Sequence, residues 1–273
     1  MEADKPTNLK EYTKWLRRQG RRIPDERLEN YYEMVVMKAC RDFQESPFWR
    51  GFASQLPEWH DEYRAEKGFP LFTGEPVEPL LVTKPFKSFV EKTFRKNVLD
   101  NGRWPEPPED GWILPENWLS RGNDLVRTFL VVRYLDGVDF LLTKASSLGS
   151  SQGLEVKSHY VAKEDGYYAA HLYLLREFEI PKVTFDTEIL RMSVEIQITT
   201  QLQDVIRSLL HGHFEQRRIM TVETRGVMDG PKGRDWRWDY GSPEFATNYL
   251  GHVLHYIEGM IMGVRNIETE ART

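Results

Sequence analysis

The stretch SVEIQITTQLQDVIRSLLH, residues 193–211, decides the expected architecture of this chain. Its first seven residues alternate between polar and apolar side chains, the period of a strand that turns Val194, Ile196 and Ile198 into a core. Beyond residue 200 the apolar side chains recur every three or four positions, as in an amphipathic helix. The stretch therefore predicts a half-buried strand and then a helix. The apolar stripe of that helix consists of Leu202, Val205, Ile206, Leu209 and Leu210.

The polar face of the predicted strand carries a carboxylate and an amide. Glu195 and Gln197 lie side by side on it, although Glu is depleted in strands, so a reason other than propensity is expected. The helix that follows presents Asp204, Ser208 and His211 along one stripe. We expect these groups to meet in one layer and to form a polar site.

The composition is that of an ordinary globular protein of one large domain or two small ones. The 273 residues are 40% hydrophobic, carry a net charge of −5 and include one cysteine, Cys40. The net charge argues against general affinity for nucleic acid. A single cysteine excludes an intrachain disulfide and suits a reducing compartment. Because no apolar run approaches the roughly 20 residues that span a bilayer, we expect a cytoplasmic protein that does not bind membranes.

The chain is expected to have three parts. Residues 1–79 form a helical N-terminal extension that ends in a proline- and glycine-rich linker at residues 68–79. Residues 80–220 form the core. Residues 221–273 form a glycine- and tryptophan-rich loop at residues 226–241 and then a long helix packed on the core.

The long C-terminal helix is predicted over residues 243–265. His252 and His255 are interpreted as residues of its polar face rather than as metal ligands. Its core side is expected to consist of Phe245, Tyr249, Val253, Ile257, Met260, Ile261 and Val264.

A stripe of basic residues follows the linker. A helix is predicted over residues 84–98, and Lys84, Ser88, Lys92 and Arg95 share one face of it at spacings of four, four and three. Like charges at such spacings repel by a few tenths of a kcal/mol, and a bound anion would relieve that repulsion. The alternative is a basic face that is merely solvated.

The next segments predict a sheet. An apolar and β-branched run at residues 128–134 predicts a buried strand with Asp124 and Arg127 at its entrance. The pair Asp136-Gly137 predicts a turn. A short strand at residues 138–142 and a mobile loop at residues 144–153 are expected after it.

A second turn, at Asp165-Gly166, opens another predicted strand. Alternation along it places Tyr167, Ala169 and His171 on one side. The small side chain between the two rings leaves space above the sheet, where a flat ligand could lie.

The motifs that are present and absent limit the reaction classes that this chain could catalyse. The sequence has no P-loop, dinucleotide-binding loop, paired zinc-binding cysteines or serine-nucleophile motif. Carboxylates at Asp124 and Glu195, several cations and no nucleophile suit metal-assisted phosphoryl or nucleotidyl transfer. The alternative is that these charges serve solubility alone.

Taken in order, the segments resemble the synthetase domain of the RelA/SpoT family. The resemblance covers residues 80 to about 218 and implies an α/β, nucleotidyltransferase-like mixed β-sheet flanked by helices. It implies transfer of pyrophosphate from ATP to a guanosine nucleotide, which makes alarmones. The matching positions are Lys84, Ser88, Lys92, Arg95, Asp124, Lys163, Asp165, Gly166, Tyr167, His171, Glu195, Gln197, Ile198, Thr200, Asp204 and His211.

The resemblance also implies a role for most of these side chains. Asp124 and Glu195 would hold Mg²⁺ on the ATP, and Glu195, beside Gln197, would take the proton from the attacking hydroxyl. Tyr167 would stack on the acceptor base. Nucleotide or phosphate contacts are implied for Lys84, Ser88, Lys92, Arg95, Lys163, His171, Asp204 and His211.

Among the positions that depart from the family pattern, two bear on the binding of ATP. Members of the family sandwich the adenine of ATP between two arginines, and this chain has Val82 and Phe129 at those positions. Arg127 and Arg133 are the candidates to replace them.

Three functions remain open at this stage. The first is alarmone synthesis with GDP or GTP, or with ADP or ATP, as acceptor. The second is a toxin-type relative that pyrophosphorylates the 3′ end of tRNA through a basic patch around Lys84, Lys92, Arg95 and Lys96. The third is a catalytically idle nucleotide-binding module. An antitoxin protein and further copies of the chain are candidate partners.

Overall fold

The computed structural model describes residues 5–182, 186–209 and 236–270. Its strands are β1 (Val82–Thr83), β2 (Val126–Val132), β3 (Glu155–Ala162), β4 (Tyr168–Pro181) and β5 (Thr187–Thr200). Its helices are α1 (Leu9–Arg18), α2 (Glu26–Gln44), α3 (Pro47–Lys67), α4 (Phe86–Phe94), α5 (Trp118–Arg121), α6 (Leu135–Ser151), α7 (residues 201–209) and α8 (Pro243–Glu270).

The strands form one mixed sheet of order β1-β2-β5-β4-β3. The central strand β5 runs parallel to β2 and antiparallel to β4. Helices lie around this sheet, so the predicted mixed α/β fold is confirmed. The boundaries expected near residues 79 and 220 stay a prediction.

The N-terminal helices begin and end where the sequence provides caps. The side chains of Asn8, Asp25 and Ser46 accept hydrogen bonds from backbone N–H groups in the first turns of α1, α2 and α3. Helix α3 ends at Gly68, whose φ of 73° is the left-handed conformation that glycine adopts without strain. Helices α2 and α3 then contribute to the same hydrophobic core as the sheet.

The central strand confirms the first prediction and corrects one part of it. Val194, Ile196 and Ile198 are buried, as their alternation indicates. The opposite face, expected to be solvated, also buries Glu195, which is 3% exposed. The strand is therefore covered on both faces at this point, because other polar side chains bind the Glu195 carboxylate.

The turn, strand and mobile loop predicted between residues 136 and 153 are wrong. Residues 136–151 belong to helix α6, and its buried positions recur at helical spacing. Gly137 and Gly149 provide close packing rather than a turn. A Cβ on Gly149 would lie 2.8 Å from Val156 Cγ2 and 2.9 Å from Leu174 Cδ2. Strand β3, which follows, was not predicted.

Two smaller boundaries also differ. Strand β2 begins at Val126 rather than at residue 128, and it alternates between buried and half-buried residues, so Arg127 lies within it. Helix α4 begins at Phe86, which leaves Lys84 on the segment before the helix. The helix then continues as a π-helical turn, Arg95–Leu99.

The predicted core side of α8 is wrong for most of its length. Tyr249, Val253, Met260 and Val264 are exposed, whereas polar residues on another face are buried. The reason is Arg265, whose guanidinium lies 4.3 Å from the Phe69 ring centre and donates to Asp136 at 2.8 Å. This pairing turns the polar face of α8 toward α6.

The two histidines of α8 also face the protein. His252 Nδ1 lies 2.7 Å from the Tyr168 hydroxyl, and the His255 ring stacks on the Tyr168 ring at 3.8 Å. They lie on the polar face of α8, as predicted, but that face packs on the protein.

The helix after β5, α7, is described over residues 201–209. Ile206 of α7 is buried, but Val205 and Leu209 are exposed. Leu210, His211 and most of the loop predicted at residues 226–241 lie outside the described residues. Within the described ranges, none of the helices combines the length and hydropathy needed to cross a bilayer.

Candidate active site

The sheet face opposite α6 carries two adjacent rows of side chains, each crossing four strands. Residues in one row are register partners on neighbouring strands, so their side chains share that face. The first row consists of Arg127, Glu195, Tyr173 and Lys157. The second row consists of Phe129, Gln197, His171 and His159.

Glu195 is held from two sides at the middle of these rows. Its Oε1 lies 2.8 Å from His171 Nδ1, and its Oε2 accepts a hydrogen bond of 2.6 Å from Gln197 Nε2. With the Nδ1 proton directed to the carboxylate, a neutral His171 has Nε2 free to accept from the Tyr167 hydroxyl at 3.1 Å. The structure thus brings together four of the predicted site residues.

Tyr173 completes this group and was missed by the sequence analysis. Its hydroxyl lies 3.2 Å from His171 Nδ1. Burial raises the pKa of Tyr173, and the charges of Glu195 and Asp124 raise it further. Its position two residues after His171 on the same strand face was the available signal.

Asp124 is the second carboxylate, and two lysines bind it. Its Oδ2 lies 3.0 Å from Lys84 Nζ, and its Oδ1 lies 2.8 Å from Lys92 Nζ. Burial alone would raise the pKa of Asp124, but the charges of both lysines outweigh it and lower the pKa to about 2. The anion that relieves the repulsion between these two lysines is therefore Asp124.

The remaining members of the basic stripe lie further out. Ser88 is half-buried on α4, one turn before Lys92. Arg95 is exposed, and its Nε lies 3.4 Å from Asp100 Oδ2. The stripe is therefore neither fully solvated nor one anion-binding surface. Lys84 and Lys92 bind Asp124, whereas Arg95 is exposed.

A tyrosine of the N-terminal helices supports the lysine segment. The buried Tyr32 hydroxyl donates a hydrogen bond of 2.9 Å to the Lys84 carbonyl oxygen. The Tyr32 ring lies 5.3 Å from the Phe86 ring and 5.4 Å from the Phe89 ring. No signal in the sequence indicated this contact.

Tyr167 lies at the edge of the site, after the predicted turn. Gly166 has a φ of 80°, and the half-buried Tyr167 ring stands edge-on to the His171 ring, with 6.1 Å between the ring centres. Lys163 Nζ lies 4.9 Å from the Tyr167 ring centre. Burial and the charge of Glu195 raise the pKa of Tyr167 to about 12, so its hydroxyl stays protonated at neutral pH.

The two candidate replacement arginines lie at different ends of β2. Arg127 is the register partner of both Val82 and Glu195, and it therefore lies beside the site. Arg133 follows the last residue of β2, about 20 Å along the strand from Arg127, and it is exposed. The structure does not bring Arg133 together with the other site residues.

Asp204 has a partner that the sequence analysis did not consider. Its Oδ1 accepts hydrogen bonds from Arg207 Nε at 3.1 Å and from Arg207 Nη2 at 2.7 Å. The Arg207 guanidinium carbon lies 4.1 Å from the centre of the Phe129 ring. The spacing of three residues on a predicted helix was the available signal for the ion pair.

Asp124 and Glu195 are the residues whose chemistry fits a divalent cation. Among the residues that the structure describes, no three His, Cys, Asp or Glu side chains are grouped to hold a metal. Mg²⁺ is commonly bound through one or two carboxylates together with substrate phosphates and water. Burial is the main cause that raises the pKa of Tyr173, and the charges of both carboxylates raise it further. Both carboxylates therefore lie near the same hydroxyl. The donor set is therefore compatible with Mg²⁺ that arrives with a nucleotide.

Comparison with known proteins identifies the fold. No protein-family profile and no curated protein matches the sequence. The solved small alarmone synthetase 1 from Bacillus subtilis, bound to its product pppGpp, is 14% identical with a TM-score of 0.51, over 89% of this chain and 98% of that one. The chain has the fold of a small alarmone synthetase.

Two further solved structures are similar to this chain. Small alarmone synthetase 2 from Bacillus subtilis is 17% identical with a TM-score of 0.48, over 86% of this chain and 96% of that one. A GTP pyrophosphokinase family protein from Streptococcus pneumoniae is 15% identical with a TM-score of 0.48, over 85% and 95%. The assignment of the fold rests on the first comparison, and it confirms the resemblance to the RelA/SpoT synthetase domain at that level.

Proposed function

We propose that this protein is a pyrophosphokinase that transfers the β,γ-diphosphate of ATP to the ribose 3′-hydroxyl of a guanosine nucleotide. The observation that carries the proposal is the placement of Glu195. It lies buried in the central strand, with the Arg127 strand on one side and the Tyr167–His171 pair on the other. The shared fold with a synthetase bound to pppGpp supports a guanosine acceptor.

In this reaction the acceptor 3′-oxygen attacks the β-phosphorus of ATP. The bond from that phosphorus to the oxygen bridging the α-phosphate breaks, and AMP leaves. Glu195 accepts the proton of the attacking hydroxyl, as a general base within hydrogen-bond reach would. His171 and Gln197 each hold one oxygen of this carboxylate, which fixes its direction before the substrate binds.

The lysine pair on Asp124 is suited to the donor phosphates. Lys84 is buried, Lys92 is half-buried, and both bind the same carboxylate of Asp124. A triphosphate that enters the site would take over the two ammonium groups, since phosphate oxygens bind such donors strongly. Mg²⁺, when bound, would neutralise charge on the phosphates, and Asp124 and Glu195 are the residues that would hold it.

Tyr167 is suited to the acceptor base. Its ring is half-buried, and its hydroxyl contacts His171, which restricts the orientation of the ring. Stacking of a base on such a ring is worth about 1–3 kcal/mol in single-strand binders. Lys163 above the same ring would pair with an acceptor phosphate.

The experiment that tests the proposal is transfer of label from γ-labelled ATP to a panel of acceptors. GDP, GTP, ADP and deacylated tRNA are supplied separately, with Mg²⁺ and with a chelator. The proposal expects label in GDP or GTP with Mg²⁺ present. Label in tRNA alone would indicate the toxin-type activity, and no transfer to any acceptor would indicate an idle binding module.

The structure changes the RNA-binding patch that the toxin-type alternative would use. The RNA-binding patch predicted around Lys84, Lys92, Arg95 and Lys96 loses two of its members, because Lys84 is buried and both it and Lys92 bind Asp124. Arg95 and Lys96 remain at its surface.

A further inference from the structure

The second row of the candidate site carries a stacked pair that no family motif predicts. Phe129, on β2, has the Arg207 guanidinium carbon 4.1 Å from its ring centre. Two hydrogen bonds to one oxygen of Asp204 hold this guanidinium. Because the ring fixes one face and the carboxylate one edge, the position of the guanidinium is set by the protein itself.

The outer side of this guanidinium is accessible. The Arg207 side chain is 41% exposed. Arg265 is the instructive contrast, because it also lies over two rings and binds a carboxylate, but its side chain is 8% exposed. Arg265 therefore fastens α8 to the protein, whereas the described residues leave part of the Arg207 side chain exposed, where a further group can stack.

A planar, charged group of this kind suits a nucleobase. Guanidinium groups stack on aromatic faces, and unpaired bases are commonly held on arginine planes as well as on aromatic rings. Asp204 neutralises the charge, so the pair offers stacking without adding a strong attraction for any anion. The chemistry therefore points to an aromatic base rather than to a phosphate.

The position of the pair indicates which nucleotide it would hold. Phe129 and His171 lie on β2 and β4, either side of Gln197, and are therefore about 10 Å apart across the strands. Arg127 is two residues before Phe129 on the same face, about 7 Å away. The Arg207 pair is thus on the β2 side of the site with Arg127, while Tyr167 is on the β4 side.

We propose that Arg207, backed by Phe129 and held by Asp204, is the stacking surface for the purine of the donor nucleotide. This inference rests on the proposed function for the identity of the donor. It places the donor base on the β2 side of Gln197 and the acceptor base on the β4 side. Asp204 acts here as a positioning residue.

The test compares Arg207→Ala and Arg207→Lys with wild type by calorimetric binding of two probes, a non-hydrolysable ATP analogue and inorganic triphosphate. Loss of one stacked base corresponds to roughly 5- to 150-fold weaker binding. We expect that loss for the ATP analogue with both variants, and triphosphate binding within about twofold of wild type. Arg207→Lys keeps the charge and loses the plane, so it separates stacking from electrostatics.

The possible results separate this inference from the proposed function. Unchanged affinity of Arg207→Ala for the ATP analogue would overturn the inference, and so would an equal loss for both probes. Absence of ATP-analogue binding in wild type would overturn it as well. Base-dependent binding through Arg207 in a protein that transfers no label would support the stacking surface while the proposed function fails.

Discussion

His171 Nδ1 and Glu195 Oε1 lie 2.8 Å apart on neighbouring antiparallel strands at the centre of the sheet. The same imidazole contacts the Tyr167 hydroxyl through its other nitrogen. The register of β4 and β5 pairs His171 with Gln197. Glu195, two residues before Gln197 on the same strand face, is therefore within reach of the imidazole ring. His171 therefore connects the proposed general base to the proposed acceptor surface.

Replacement of His171 by Ala is expected to lower kcat more than it changes the acceptor KM. The variant removes a hydrogen bond to a charged group, worth about 1.5–3 kcal/mol, which is roughly 10- to 150-fold in rate. Steady-state kinetics with the best acceptor measure both constants. A rise in KM alone would show that His171 only binds the acceptor.

Replacement of Tyr167 by Ala tests the acceptor surface. The acceptor KM is expected to rise by roughly 5- to 150-fold, the equivalent of one lost base stack. Tyr167→Phe is the matched control, because it keeps the ring and removes only the hydroxyl that contacts His171. Unchanged acceptor KM and kcat in the Ala variant would remove Tyr167 from the site.

The lysine-bound Asp124 should add stability that depends on pH. Burial opposes ionisation, but the charges of Lys92 and Lys84 lower its pKa from 3.8 to about 2. A lowered pKa in the folded state means that the stabilisation is present above pH 4 and is lost as the pH falls through about 2. Asp124→Asn is expected to lower the free energy of unfolding at pH 7 by about 2 kcal/mol or more.

Urea unfolding at pH 7 and at pH values from 4 down to 2 measures this difference. Asp100→Asn is the control, since the exposed pair of Asp100 with Arg95 is expected to change stability by less than about 1 kcal/mol. A difference between wild type and Asp124→Asn that stays constant down to pH 2 would contradict the assignment.

Tyr32 is expected to position Lys84 from outside the sheet. Tyr32→Phe removes the hydrogen bond to the Lys84 carbonyl and keeps the ring contacts, at a cost of about 1 kcal/mol in stability. Binding of inorganic triphosphate should weaken as well, because the lysine segment loses a fixed point. Tyr31→Phe, at the neighbouring half-buried tyrosine, should leave triphosphate affinity unchanged.

Helix α6 offers a test of the packing that the sequence did not indicate. Gly149→Ala would place a Cβ 2.8 Å from Val156 Cγ2 and 2.9 Å from Leu174 Cδ2, and overpacking of this kind costs about 1–3 kcal/mol. Gly263→Ala on α8, where the described residues leave open space around a Cβ, is expected to stabilise the helix by about 0.5–1 kcal/mol. Thermal unfolding of both variants measures the contrast.

The sequence predicted the elements whose pattern is local. Strand β5, the turn at Gly166 and the helical N-terminal region follow from alternation, a left-handed glycine and helix caps. It failed for α6, where Gly137 and Gly149 look like turn residues but are required by close packing. The buried positions of α6 recur at helical spacing, but the contacts that require its glycines join residues distant in sequence.

Some residues of the candidate site could be predicted from local sequence patterns, and others could not. Glu195, His171 and Tyr167 were predicted from strand alternation and the family motifs, and the structure brings them together. The pairing of Lys84 and Lys92 with Asp124, the Tyr32 contact and the Arg207 stack depend on how α2, α4 and α7 pack. The core side of α8 was predicted wrongly because its polar face packs on the protein, where Arg265 binds Asp136.

The most direct measurement of the central claim is single-turnover transfer of label from ATP to a guanosine nucleotide by wild type and by Glu195→Gln. The substitution keeps the shape and removes the proton acceptor, so we expect a loss of roughly 100- to 10,000-fold in rate, with the circular dichroism spectrum retained. A Glu195→Gln protein that transfers label at the wild-type rate would contradict the account.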